Sequence, residues 1–298
     1  MISWRKAGCR QMTAVFKHEL SNYFHSLTAY FFGAFLLVFV GIGAMVYNIQ
    51  QAVANFEYVL SFVSLVFVVL VPVLTMRVIA EERKQKTDQL LYSLPVTTTQ
   101  VVIGKYLALL VIYLIPLCII CVYPLIFAQY GEVYLLTSYG SIAAFFVMGA
   151  ALIAVGTFIS SLTENQGFAA GIAIPVILLN YYSVSLAEHV SATAPGSAAA
   201  LCVLCCLLGV IIRFMTKNAS LAYAVSFVLL LAVGVVYLVD STLFEGLLPR
   251  IMTRLSLFEQ FYRFVNGVFD LTAIVYYLTV IVFFLFLSVQ SLEKRRYN

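Results

Sequence analysis

Long stretches without a charged side chain recur along this chain of 298 residues and constrain its fold more than any other feature. Each is about 20 residues long, the length that an α-helix needs to cross the hydrocarbon core of a bilayer. Only 10% of the residues are charged, whereas soluble domains carry about 25%. We therefore predict an all-α, polytopic integral membrane protein with about eight transmembrane helices, near residues 28–47, 58–76, 106–128, 139–162, 167–187, 191–212, 219–239 and 271–292.

The distribution of Lys and Arg selects eight spans over the seven that hydropathy alone would also allow. Short cytoplasmic loops hold the excess of basic residues in membrane proteins. Eight spans put 14 of the 17 basic residues on the cytoplasmic side, and only Arg250, Arg254 and Arg263 lie outside. We therefore expect both the N and the C terminus to be cytoplasmic.

The centres of the predicted spans contain no Asp, Glu, Lys, Arg or His. Carriers driven by an ion gradient usually keep such a group inside the bilayer, so this class is disfavoured, although sodium sites built from backbone carbonyls would escape the test. The chain also lacks the phosphate-binding loop G-x-x-x-x-G-K-[ST], so any ATPase must be a separate polypeptide. The cysteines lie mostly in apolar segments and the three histidines are scattered, so we predict no metal site.

An intramembrane enzyme is the other alternative, because proteases of the glutamic type also have paired glutamates near a membrane helix. Their motif is Glu-Glu-x-x-x-Arg. In this chain Glu81 and Glu82 are followed by Lys86 at the position of the arginine. The motif is not matched, and we predict no catalytic residue.

The longest cytoplasmic loop covers residues 77–105, between a membrane helix that ends at Arg77 and one that begins near Tyr106. It is too short for a nucleotide-binding domain, since independent domains need about 50 residues or more. Charged residues followed by Leu, Tyr and then Pro95 predict a short amphipathic helix that could bind in a partner's groove. An ordinary positive-inside loop is the alternative. The candidate docking residues are Glu81, Glu82, Arg83, Lys84, Lys86, Asp88, Leu91 and Tyr92.

Two further segments are amphipathic. Residues 12–26 alternate apolar and polar side chains in a pattern that suits a helix lying in the membrane interface before the first span, with a frayed cytoplasmic extension as the alternative. Residues 241–270 mix Leu and Phe with Glu and Arg at helical spacing, which predicts one or two helices on the extracytoplasmic surface.

Four segments resemble the permease subunits of ABC-2-type transporters, most closely the branch named for the gliding-motility permease. They are KHELSNYFHSLTAYF near the N terminus, residues 72–105, residues 154–170, and residues 255–296. The second segment is the most specific, because it combines T-M-R, A-E-E-R, a leucine-rich turn, L-P-V and G-K in that order.

The resemblance implies that residues 1–298 form a single transmembrane permease domain. Such permeases work as dimers of one chain or of two paralogues, and each is seated on a separate ABC ATPase in the bacterial cell membrane. ATP and magnesium would belong to that ATPase, so this chain would be no enzyme, would hold no cofactor, and would bind the lipid bilayer but no nucleic acid. Closure of the ATPase would open a central pathway outward, as in an exporter.

The resemblance also assigns roles to residues. Residues 81–92 would hold the coupling helix, and residues 160–167 would form a second cytoplasmic turn. In that turn Glu164, Asn165 and Gln166 would make a minor contact with the ATPase. A cap on the following helix is an equal alternative, because Thr163 or Asn165 can accept hydrogen bonds from its first N–H groups.

One feature goes beyond the common six-span pattern of that family, because the apolar segments within residues 191–239 would form an inserted hairpin. Related permeases have an external or re-entrant helical element before the last span. In this chain that element would place Phe258, Phe261 and Phe264 where an aromatic face could restrict the exit of cargo. A lipid-facing interfacial helix without a gating role is the alternative for that element.

Overall fold

The computed structural model describes residues 2–86, 97–190, 193–216 and 219–296, and every regular element in these ranges is helical. Five helical stretches in them are long and apolar enough to cross a membrane. Two further pairs of helices raise the number to seven when each pair counts as one span. The all-α, polytopic class is confirmed, whereas the count of eight spans and the cytoplasmic termini stay predictions.

We number the helices in chain order. They are α1 (Ile2–His25), α2 (Leu27–Gly43) with a π-helical continuation (Ala44–Gln50), α3 (Glu57–Thr75), α4 (Ala80–Lys84), α5 (Thr98–Ile120), α6 (Tyr123–Phe127), α7 (Leu135–Leu162), α8 (Gln166–Tyr181), α9 (Ser183–His189), α10 (Ala194–Thr216), α11 (Ala219–Val239), a 3₁₀ turn (Ser241–Phe244), α12 (Leu247–Leu255), α13 (Leu257–Val265) and α14 (Leu271–Arg296).

Helix α7 is the central element of a first compact unit, which comprises the described residues up to Leu179 and from Gln260 onward. About 78% of its most apolar stretch is buried, against 17% in α14. It packs against α3, α5 and α14. Glycine permits the closest crossing, because a Cβ at Gly156 would lie 2.2 Å from Thr75 Oγ1 of α3.

The N-terminal helix α1 is longer than the segment predicted at residues 12–26. It packs against α5 and α2 and ends at His25, one residue before the N-cap of α2. Glu19, which the pattern assigns to the polar face, is buried together with Tyr23. The position of α1 in the membrane interface stays a prediction.

The described residues from Asn180 to Glu259 form a second compact unit. Within it α10 and α11 pack against each other, and α9 packs against α12. Asn180 joins the ends of two helices, because its Nδ2 donates to the carbonyl of Leu255 (3.1 Å) and its Oδ1 accepts from the N–H of Leu257 (3.0 Å). Helices α10 and α11 occupy the predicted hairpin segment. That both of them cross the membrane stays a prediction.

Candidate functional site

The helix that follows the cytoplasmic loop begins earlier than the sequence predicts. We expected it near Tyr106, but α5 begins at Thr98. A capping box explains the early start: Thr97 Oγ1 accepts from the N–H of Gln100 (3.4 Å), and Gln100 Oε1 accepts from the N–H of Thr97 (3.1 Å). Lys105, assigned above to the cytoplasmic loop, therefore lies about two turns inside α5.

Lys105 is buried and its ammonium group is surrounded by oxygen atoms. Only 2% of the residue is exposed. Its Nζ donates to Glu19 Oε1 of α1, to Glu82 Oε1 of α4 (2.7 Å) and to the carbonyl oxygen of Val78 (2.9 Å). These three acceptors match the three N–H groups of an ammonium ion. We call Lys105, Glu19, Glu82 and the Val78 carbonyl the Lys105 cluster.

The Lys105 cluster joins three segments that are far apart in the sequence. A buried charge is tolerated when it is paired and fully hydrogen-bonded, and here one cation serves two carboxylates. Glu19 is almost fully buried, and the Glu82 side chain keeps 25% of its surface exposed. The cluster thus attaches the first residues of the cytoplasmic loop to both α1 and α5.

A second contact attaches α1 to the end of α3. The hydroxyl of Tyr23 donates to the carbonyl oxygen of Leu74 at 3.4 Å, a long hydrogen bond. Burial raises the pKa of Tyr23 well above its usual range, and the nearby Glu19 adds to this effect. The hydroxyl therefore keeps its proton and remains a donor at any physiological pH.

Arg77 forms a two-pronged ion pair at the start of the loop. Its Nε and Nη2 donate to the two carboxylate oxygens of Glu81, each at 2.9 Å, and its Nη1 donates to Thr28 Oγ1 at 2.7 Å. Bidentate pairs of this kind fix orientation as well as contributing energy. Arg77 thereby links Glu81 to Thr28 of α2.

Ser160 of α7 holds the backbone of the same segment. Its Oγ accepts from the N–H groups of Ile79 (3.3 Å) and Ala80 (3.2 Å) and donates to the carbonyl of Met76 (3.3 Å). These N–H groups open α4 and have no acceptor within so short a helix. The next residue, Ser161, accepts a hydrogen bond from Ser291 of α14 on its carbonyl (3.0 Å).

The predicted docking residues divide into an inward and an outward group. Glu81 and Glu82 make the ion pairs described above, and Arg83 is buried. Lys84 and Lys86 are exposed. Lys86 has a left-handed backbone (φ 56°), as is common just after the end of a helix such as α4. Asp88, Leu91 and Tyr92 lie outside the described residues.

The second cytoplasmic turn is short. Glu164 and Asn165 are exposed and Gln166 is half-buried. Asn165 Oδ1 accepts from the N–H of Gly167 at 2.9 Å, and Thr163 Oγ1 accepts from the N–H of Asn165 at 3.2 Å. The helix cap is therefore formed. Glu164 is exposed, and its contact with the ATPase stays a prediction.

The three aromatic residues assigned to the gate are buried. Phe258 packs edge to face on Tyr181 (4.9 Å between ring centroids), Phe261 contacts Phe145 (5.6 Å) and Phe264 contacts Phe269 (5.3 Å). Each ring has an aromatic neighbour in its own unit. The gating role stays a prediction.

Comparisons with known proteins identify the family. A model of the ABC-2 family transporter protein matches residues 11–239, which is more than two thirds of the chain and includes residues 77–105, residues 160–167 and the helices α10 and α11. No curated protein and no solved structure matches the chain significantly. The chain belongs to the ABC-2 family of transporter proteins and is the multi-pass membrane component, or permease subunit, of an ABC transporter.

Proposed function

We propose that the chain is the permease of an exporter in the bacterial cell membrane, driven by a separate ABC ATPase that docks on residues 77–105. The Lys105 cluster is the observation that carries the proposal. It connects the start of this loop to two long helices through buried charges. A force applied to the loop would therefore move α1 and α5 rather than only bend a flexible connection.

Three attachments make the base of the loop rigid. Glu82 is paired with Lys105 of α5, Glu81 is paired with Arg77, and the backbone at Ile79 is bound by Ser160 of α7. Coupling of this type needs a contiguous, well-packed connection between the site where force enters and the helices that move. ATP and magnesium belong to the ATPase in this account.

The outward lysines are the part of the described loop that a partner can reach. Lys84 and Lys86 are exposed and follow Glu82 of the Lys105 cluster in the chain. They would meet an acidic surface of the ATPase, and Glu164 with Asn165 would add a smaller contact. The resemblance to the gliding-motility branch supports export and a second permease copy or paralogue. Phe258, Phe261 and Phe264 remain the candidate gate.

Charge reversal at the outward lysines tests the docking assignment. We expect the double variant Lys84→Glu, Lys86→Glu to lose at least about tenfold in the amount of ATPase that copurifies with the permease, since charged interface contacts are sensitive to reversal. Lys17→Glu is the matched control, because Lys17 is an exposed lysine on α1 and is not among the predicted docking residues. Thermal unfolding of all variants should match the wild type. Copurification equal to that of Lys17→Glu would refute docking through these residues.

A neutral substitution inside the cluster separates docking from coupling. Glu82→Gln removes the charge that pairs with Lys105 but leaves the exposed lysines unchanged. We expect the ATPase to remain bound while its stimulation by the permease falls. If Glu82→Gln retains full stimulation, the Lys105 cluster does not transmit force.

A further inference from the structure

A large cleft lies within the second unit, along the α10–α11 hairpin. Its volume is about 690 Å³, within the range of roughly 300–1,000 Å³ that is typical of sites for small molecules. The lining is apolar apart from Arg213, the Tyr223 hydroxyl and Ser226. The apolar lining includes Cys206, Val210, Phe227 and Leu230.

One end of the cleft is cationic. Arg213 Nη1 donates to the hydroxyl of Tyr223 at 3.1 Å, and the guanidinium carbon lies 5.9 Å from the centre of the same ring. These contacts orient the guanidinium and, among the described residues, use one of its five N–H donors. An arginine fixed in this way presents a planar, charged face that suits a phosphate group.

The rest of the cleft is an apolar channel about 10 Å long. Cys206 precedes Arg213 by seven residues on α10, and Leu230 follows Tyr223 by seven residues on α11, which is about two helical turns on each side. Val210 and Phe227 are 50% and 65% exposed, so the channel is open along its side. An occupant can therefore enter laterally from the membrane.

We propose that this cleft binds a phospholipid with an anionic headgroup, with the phosphate on Arg213 and an acyl chain between α10 and α11. The combination of a fixed cation and an open apolar channel matches the two parts of such a lipid. Basic positions at the membrane surface attract anionic lipids, and neutral lipids lack the net charge that the guanidinium favours. The inference is independent of the docking assignment, because the cleft and the Lys105 cluster belong to different units.

Native mass spectrometry of the full-length protein in mild detergent tests this site. Phosphatidylglycerol and phosphatidylcholine with identical acyl chains are the two probes. We expect the wild type to bind phosphatidylglycerol about fivefold more tightly, as one basic group near an anionic lipid predicts. Arg213→Gln should lose this preference. Arg250→Gln is the control, because Arg250 is an exposed arginine of the same unit outside the cleft, and it should keep the preference.

Filling the channel distinguishes the cleft from an isolated surface charge. Val210→Trp and Ala224→Trp each place a large ring in the lining at an exposed position, where it is accommodated without repacking a core. Both should reduce binding of phosphatidylglycerol at least fivefold while Arg213 is intact. Equal binding of the two lipids by the wild type, an unchanged preference in Arg213→Gln, or unchanged binding of phosphatidylglycerol in both tryptophan variants would overturn the proposal.

Discussion

Lys105 is the residue on which the coupling account most depends. Its buried ammonium group pairs with two carboxylates, that of Glu19 on α1 and that of Glu82 on α4. Neither ion pair is a flexible pair between two exposed side chains. Loss of one partner of a buried ion pair is more costly than the pair's net contribution, because the other charges stay buried without compensation. Loss of the Lys105 charge should therefore strongly destabilise the contacts between α1, α4 and α5.

Replacement of Lys105 by methionine keeps the length of the side chain and removes its charge. We expect a loss of about 3–5 kcal/mol in the free energy of unfolding, since Glu19 and Glu82 would face each other without a cation. Thermal unfolding in detergent measures the loss. Adding Glu19→Gln to the variant should recover part of it. The control Lys17→Met, at an exposed position of α1, should have no measurable effect. Equal stability of the two methionine variants would contradict the buried pairing.

The hydroxyl of Ser160 supports the start of helix α4. Helix α4 has only five residues, so its opening N–H groups depend on an acceptor from another helix. Ser160 Oγ supplies that acceptor to Ile79 and Ala80. The start of α4 is therefore held by α7, the most buried of the five candidate spans.

Ser160→Ala should loosen the segment before α4 without altering α7. Leaving a buried donor unsatisfied costs about 1–3 kcal/mol, which corresponds to amide exchange that is roughly 5-fold to 150-fold faster. Hydrogen exchange of peptides covering residues 76–84 measures the change. Ser161→Ala is the matched control, because the Ser161 hydroxyl donates within its own helix to the carbonyl of Phe158 at 2.7 Å. Equal exchange in the two variants would show that Ser160 does not hold the segment.

Two elements near the loop differ in how far the sequence could predict them. The early start of α5 could have been recognised, because Thr97 and Gln100 have the spacing of a capping box. The Lys105 cluster could not, since the partner Glu19 lies 86 positions away and only the packing of α1 against α5 brings the two together. The sequence predicts Glu81 and Glu82 as docking residues, but local sequence does not tell that both carboxylates pair inward.

The fold class of the whole molecule can be predicted from its composition more directly than the candidate site can. Uncharged stretches of spanning length predict the polytopic all-α class, and the structure confirms it with five to seven candidate spans among the described residues. Hydropathy alone leaves the number of spans open where helices are bent or short, as between α8 and α9. The positive-inside distribution then supplies independent evidence on orientation.

Cysteine labelling tests the predicted orientation of the chain. In a variant whose native cysteines are replaced, single cysteines at Lys17 and at Lys294 should both react only with a reagent that reaches the cytoplasm, because eight spans return the C terminus to the side of the N terminus. A cysteine at Glu132, predicted to be outside, is the reference for external labelling. Labelling of positions 17 and 294 from opposite sides would require an odd number of spans and contradict the charge argument.

The central claim is that a separate ATPase engages the segment held by the Lys105 cluster. Crosslinking of lysines in the native complex, isolated gently from its own membranes and followed by mass spectrometry, tests it most directly. We predict crosslinks from Lys84 or Lys86 to a nucleotide-binding ATPase. If an ATPase copurifies but crosslinks only elsewhere on the permease, or if no ATPase accompanies the intact complex, the account of coupling through this segment is wrong.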